Sequence, residues 1–220
     1  MIKNLGMIVA AVATLSASTA GAVVVPGLYN TGLGVGGAAL AAGDGQTDAN
    51  YTLVAGTIAG VVTGTSAQTY YNPAYSAEGA GSRWISYSGS PFAGVGTFSV
   101  LTTFDLTGYS AASASLTGLW GVDNDGEIFL NGVSTGNTLL GSLQSNFNIL
   151  HSFSLTTGFV SGVNTLSIRV TDSGSPAAAR FDNLVLSANV VPEPASWMLM
   201  ITGFGLVGVA ARRRTTAIAA

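Results

Sequence analysis

The sequence predicts an all-β body, a sandwich or a barrel, between two terminal apolar segments. Three observations carry this. Short stretches with alternating apolar residues recur between clusters of Gly, Asn and Asp. No long apolar pattern of period 3.6 appears between the terminal segments. Gly, Ser, Thr and Ala dominate, and there is no cysteine, so disulfides and thiolate metal sites play no part.

The strands can be justified in order. Phe98, Val100, Thr102, Phe104 and Leu106 share one parity, as do Leu116, Trp120 and Val122. Ile149, Phe153 and Leu155 form another set, and Leu166, Ile168 and Val170 a fourth. Side chains two apart on a strand face the same way, so each set defines a buried face. Asn131-Gly132, between Ile128-Phe129-Leu130 and Val133, predicts a two-residue hairpin turn, because both positions need φ > 0. Ser161-Gly162-Val163-Asn164 introduces the strand Thr165 to Thr171, and Ser173 to Pro176 ends it. The last strand is expected over Phe181 to Leu186, with Leu184 and Leu186 inward. Gly32 to Ala42 reads as an irregular loop over the sheet.

The two ends of the chain read as targeting segments. Lys3, the apolar Leu5 to Leu15 and the small residues after them have the order of a Sec-type signal peptide. Ala20-Gly21-Ala22 supplies the A-x-A site, which places cleavage before Val23. At the other end, Pro192-Glu193-Pro194 precedes Trp197 and an uncharged run to Ala211, closed by Arg212-Arg213-Arg214. Trp197 to Ala211 spans fifteen positions. As a helix that is roughly 22 Å, short of the ~30 Å hydrocarbon core. Snorkelling arginines and Trp197 at headgroup level would help such a stop-transfer, transmembrane helix seat itself for a limited time. Lys3 and the three arginines hold both ends on the cytoplasmic side. The expected organisation is therefore 1–22 signal peptide, 23–191 body and 192–220 tail.

Between 23 and 191, Arg83, Arg169 and Arg180 stand against nine carboxylates, a net of −6. That balance argues against nucleic acid or an anionic membrane surface as the body's partner.

The tail resembles the PEP-CTERM sorting tail of Gram-negative bacteria, in the variant with PEP, two residues, then Trp. The resemblance implies recognition by an exosortase-type membrane protease, transient residence in the inner membrane, removal of the apolar helix, and a cell-surface or extracellular destination, often alongside exopolysaccharide or biofilm. Thr215 to Ala220 continue past the arginines, where such tails often stop. The body resembles the galactose-binding-like jelly roll through Trp120 to Asp125, Ile128 to Gly132 and Phe159 to Leu166. Leu28 to Gly32 and Asp48 to Leu53 resemble the opening of sandwiches joined to such tails. The fold implied is a jelly-roll β-sandwich flanked by a signal helix and a hydrophobic sorting helix. The function implied is a non-catalytic surface or matrix protein, with a carbohydrate-binding module as the alternative.

Candidate sites in the body face plain alternatives. Asp123, Asp125 and Glu127 form the tightest acidic group and would share a side of an extended strand, opposite Trp120 and Val122. Such carboxylates can bind structural Ca²⁺, but the EF-hand spacing is missing, and a solvated turn is the ordinary reading. A glycosidase pair lacks a cleft, and no other cofactor is expected. His151, the sole histidine, has the parity of a core-border residue and no G-x-S-x-G elbow. Gly203 to Gly208 spells G-x-G-x-x-G inside the apolar tail, outside any βαβ context. Arg83, Trp84 and Tyr87 are the candidate glycan contacts, with Trp84 at a loop edge as a stacking ring; the alternative is packing.

Overall fold

The computed structural model describes residues 21–191 and 194–216. The signal segment with Lys3 and Ala20, together with Pro192 and Glu193, lies outside the described residues. Eleven strands run in chain order: β1 (Ala22–Val24), β2 (Thr47–Gly56), β3 (Ser66–Thr69), β4 (Ile85–Ser86), β5 (Gly96–Asp105), β6 (Ser115–Asp123), β7 (Asp125–Leu130), β8 (Val133–Leu139), β9 (His151–Leu155), β10 (Val163–Asp172) and β11 (Ala178–Asn189). The α-helices among the described residues are the single turn α1 (Ser145–Asn148) and the tail helix α2 (Pro194–Thr216).

The strands pair antiparallel along one path, β8-β7-β10-β5-β2-β3-β4-β11-β6-β9, with β1 added beside β11. Short β3 carries the hydrogen bonding from one layer to the other, and the faces close over a common core. Neighbours such as β7, β10 and β5 are distant in sequence, so the connections cross between layers, as in a jelly-roll sandwich. The alternation read from the sequence holds where it matters most. Phe98, Val100, Thr102, Phe104 and Leu106 are buried, as are Leu116, Trp120, Val122, Leu166, Ile168 and Val170.

Two departures have clear causes. Ile149 caps α1 and is exposed, so β9 begins only at His151 and keeps Phe153 and Leu155 as its buried residues. The last strand is longer than expected, and it changes parity partway. Its register against β6 shifts between Asp182 and Val185, where Asn183 takes φ +49°. That extra residue lets Phe181 and Leu186 both turn inward, although one position is odd and the other even.

The sandwich has two distinct ends. At one, the Asn131-Gly132 turn and the loop before β10 lock together. Asn131 donates Nδ2–H to Asn164 Oδ1 at 2.9 Å, and its own Oδ1 accepts Thr165 N–H at 2.9 Å. Buried Asn164 also accepts Val160 N–H and donates to the Val160 and Gly162 carbonyls. The opposite end carries Asp123, Asp125 and Asp172, where β6, β7 and β10 start or stop.

Asn164→Ala would leave these loop groups unpaired next to the core. A buried polar group without its partner costs about 1–3 kcal/mol, so urea titration of the body should show a loss of about 2 kcal/mol. Asn131→Ala, at the exposed turn, should cost less.

Candidate functional site

The apolar run of the tail helix lies open among the described residues. Trp197 to Val209 are exposed on every side of α2, including Leu199, Ile201, Phe204 and Leu206. Its one hydroxyl in this stretch, Thr202 Oγ1, donates back to the Met198 carbonyl at 2.7 Å, so that donor is used within the helix. A helix that is apolar all round and covered by nothing needs a partner or a lipid phase. No helix among the described residues is long and apolar enough to cross a membrane. The transmembrane helix expected from the sequence is therefore not shown by the structure; α2 is a 23-residue helix whose apolar run carries glycines and is followed by Arg212 to Arg214.

The attachment of the tail to the body is tight. Asn189 accepts Ser110 N–H at 2.8 Å and donates its own N–H to Ser113 Oγ at 2.9 Å. Val190 bridges to Tyr109, and Val191 N–H donates to the Gly108 carbonyl at 2.8 Å. Backbone pairing therefore runs to the residue before Pro192. On the adjacent strand, Ala22, Val23 and Val24 pair with Asn189, Ala188 and Ser187. Cleavage before Val23 would fall within this short strand and leave Val23 and Val24 paired.

The candidate glycan contacts are packed, which corrects the expectation of an exposed ring. Trp84 is 0 % exposed. Its ring lies 4.6 Å from that of Tyr75, and Nε1–H donates to the Ser76 carbonyl. Tyr87 is buried edge-on against Phe98 and accepts Ala93 N–H through its hydroxyl. Arg83 pairs with Glu78 at 3.0 Å and donates to the carbonyls of Ala41 and Gly43, holding the glycine-rich loop to the body. Gly32 sits beneath it at φ +73°, where a Cβ would stand 2.4 Å from Arg83 Cβ. The Gly/Ser-rich stretch before Arg83-Trp84 reads as a loop edge, and nothing local in the sequence marks the loop that covers them.

The acidic trio is also separated. The strand breaks at Asn124, so Asp123 ends β6 while Asp125 and Glu127 start β7. Asp123 is buried and accepts the Tyr75 hydroxyl at 2.9 Å and the Asn124 amide at 2.7 Å. Asp125 accepts Ser142 N–H, while Glu127 pairs with Arg169 at 2.6 Å. Each carboxylate thus has its own partner. Among the described residues no group of three or more His, Cys, Asp or Glu side chains could hold a metal ion. His151 is half-buried, with Nε2 2.8 Å from the Ser145 carbonyl, consistent with a positioning contact to α1.

The outer face of β7 and β10 carries a surface groove of about 230 Å³. Asp125, Glu127, Thr138, Arg169 and Thr171 line it, and the Arg169 guanidinium lies 5.0 Å from the Phe129 ring centre. Sequence reasoning missed this groove. Arg169 has the parity opposite Leu166, Ile168 and Val170, but nothing local indicated that β8 would flank it.

With that geometry in hand, comparison with known proteins is informative at one end of the chain. Residues 190–214 match the PEP-CTERM protein-sorting motif. The chain carries this motif, which indicates exosortase-dependent sorting: export, and membrane-anchored handling by exosortase, a membrane protein. No curated protein matches the sequence significantly. Among solved structures, a cyclase from Fischerella sp. TAU is similar at 14 % identity and TM-score 0.44, over 79 % of this chain and 100 % of its own. CBM35 from Paenibacillus barcinonensis is similar at 14 % identity and TM-score 0.34, over 67 % of this chain and 100 % of its own. A β-glucosidase from Kluyveromyces marxianus is similar at 9 % identity and TM-score 0.30, over 44 % of this chain, which spans only 11 % of that enzyme.

Two buried carboxyls make stability depend on pH. Burial raises Asp48 to about 6, although N–H groups of Asn50, Gly32 and Tyr51 hydrogen-bond to it. Burial, aided by repulsion from Asp172, likewise raises Asp123 to about 6. Both folded-state values lie above the ordinary carboxylate value of the unfolded chain. The stability they contribute is full below about pH 4 and is lost as pH rises through about 6. Denaturation midpoints should therefore fall between pH 4 and pH 7, and Asp123→Asn should make that fall shallower.

Proposed function

We propose that the chain is an exported, non-catalytic surface or matrix protein, and that its tail is an address read in the inner membrane and then removed. The observation that carries this is the uncovered apolar helix, placed directly after Pro192-Glu193-Pro194 and closed by Arg212 to Arg214. The arginines remain cytoplasmic and stop transfer, while the body folds outside the membrane. Trp197 sits at the outer interface and keeps the PEP segment within reach of the exosortase. The signal peptide, cut between Ala22 and Val23, supplies the first translocation step. A Gram-negative envelope provides the membrane and the protease, and the released body joins an exopolysaccharide-rich surface or biofilm.

The candidate carboxylates are tied to separate partners, and His151 rests on a backbone carbonyl. A second reading, glycan binding, is favoured by the groove along β7 and β10. Its Arg169–Glu127 pair is partly solvent-accessible, and the threonines Thr138 and Thr171 offer hydroxyls beside it.

Intact-mass measurement of the product from a host with an active exosortase tests the first reading. The expected product lacks Trp197 to Ala220, and the Pro192→Ala/Pro194→Ala variant should accumulate with the tail attached. A native product that still contains Trp197 would overturn the reading. For the second reading, a glycan array with the body should show binding that Arg169→Ala reduces at least about tenfold, the loss of roughly 1.4 kcal/mol of affinity.

A further inference from the structure

We infer that the end of the sandwich from which the tail leaves is a membrane-resting surface, which seats on the headgroup–acyl boundary of the bilayer while the tail is inserted. This rests on the tail reading above and adds an orientation to it.

Three observations point the same way. The first is the tether. Val191 is hydrogen-bonded to the body and α2 starts at Pro194. Three Cα–Cα steps of about 3.8 Å separate them, so at most ~11 Å of chain lies between the folded body and the apolar helix. A body on so short a lead cannot stand away from the surface that takes the helix.

The second is where the chain enters. Ala22 pairs with Asn189, so the N-terminal strand begins beside the place where the tail departs. Both segments with membrane-directed sequences therefore connect to one end of the sandwich.

The third is the chemistry of that end. Val24, Val133, Val160, Val163, Val190 and Val191 are exposed there, around the Asn131–Asn164 clasp and the 106–110 turn. Asp105 is the one charged side chain at this end among the described body residues, and Thr107 satisfies it with N–H and hydroxyl bonds at 2.7 Å. Asp123, Asp125 and Asp172 gather at the far end, where β6 and β10 stop and β7 starts. The acidic cluster of the body is thus kept at the end away from the lipid. With no cation on the valine face, the surface does not select anionic headgroups, and a neutral bilayer is its fitting partner.

The native chain has no cysteine, so single labels are unambiguous. The tail-bearing chain is reconstituted into phosphatidylcholine vesicles, with and without brominated acyl chains. An environment-sensitive fluorophore is placed at Val163→Cys on the valine face or at Leu143→Cys near the far end; both positions are exposed. Tail insertion is read separately from Trp197, because Trp84 and Trp120 are buried in the body. A face seated ~5–10 Å into the interface should lose roughly half or more of the residue-163 emission to brominated lipid. Residue 143 should be nearly unchanged.

Quenching of Trp197 with residue 163 as unaffected as residue 143 would overturn the membrane-resting surface and leave the tail reading intact. Loss of quenching at Trp197 as well would remove both. Protection of residue 163 that requires added exosortase, and is absent with lipid alone, would also overturn the proposal, because the face would then belong to a protein contact.

Discussion

The constraint on which this architecture depends is the absence of slack after β11. That strand is at once a core element and the stem of the sorting tail. It pairs with β6, β4 and β1, buries Phe181 and Leu186, and passes without a linker into residues tied to the 108–110 turn. The body cannot fold without fixing the point where the tail leaves. Backbone hydrogen bonds hold the chain to the body as far as Val191, the residue before the PEP segment.

The interior is held by similar economy in its few charges. Arg180, which burial pushes below its ordinary value, donates to Ser82 and to the Ala77 carbonyl and pairs with Asp182 at 3.1 Å. Arg83 secures the glycine-rich loop in the same manner. Both guanidiniums use directional bonds to carbonyls that no strand satisfies, which is the condition under which a buried cation is tolerated. Thr31 completes this layer. Its hydroxyl donates to the Arg83 carbonyl and accepts Phe181 N–H, joining the early loop to the last strand across 150 residues.

Much of the fold was legible because it rests on local rules. Alternation gave the faces of β5, β6 and β10, and the Asn-Gly pair gave the β7–β8 hairpin. The two short motifs around Asn131 and Asn164 looked independent in sequence, yet they proved to be halves of one hydrogen-bonded clasp. What was not legible depended on partners far along the chain. Trp84 read as a loop-edge ring because its cover, Tyr75 and the α1 region, has no signature beside it. The acidic trio read as one cluster because parity assumes an unbroken strand, and the break at Asn124 sends Asp123 toward Tyr75 and Glu127 toward Arg169. The sorting motif of the tail was legible, since its information is composition and order and needs no tertiary contact.

The pairing of Ala22 with Asn189 has one more consequence. The two points where the chain enters and leaves the sandwich are neighbours, so a linker of a few residues would join them at little entropic cost. The β-body is then nearly a closed loop in topology, and its ends need not be where they are. New termini opened at the exposed Asn131-Gly132 turn, or in the loop after β8, would leave every long strand whole. A sandwich of this kind can be reopened elsewhere without being rebuilt, and its present ends mark where it was moored.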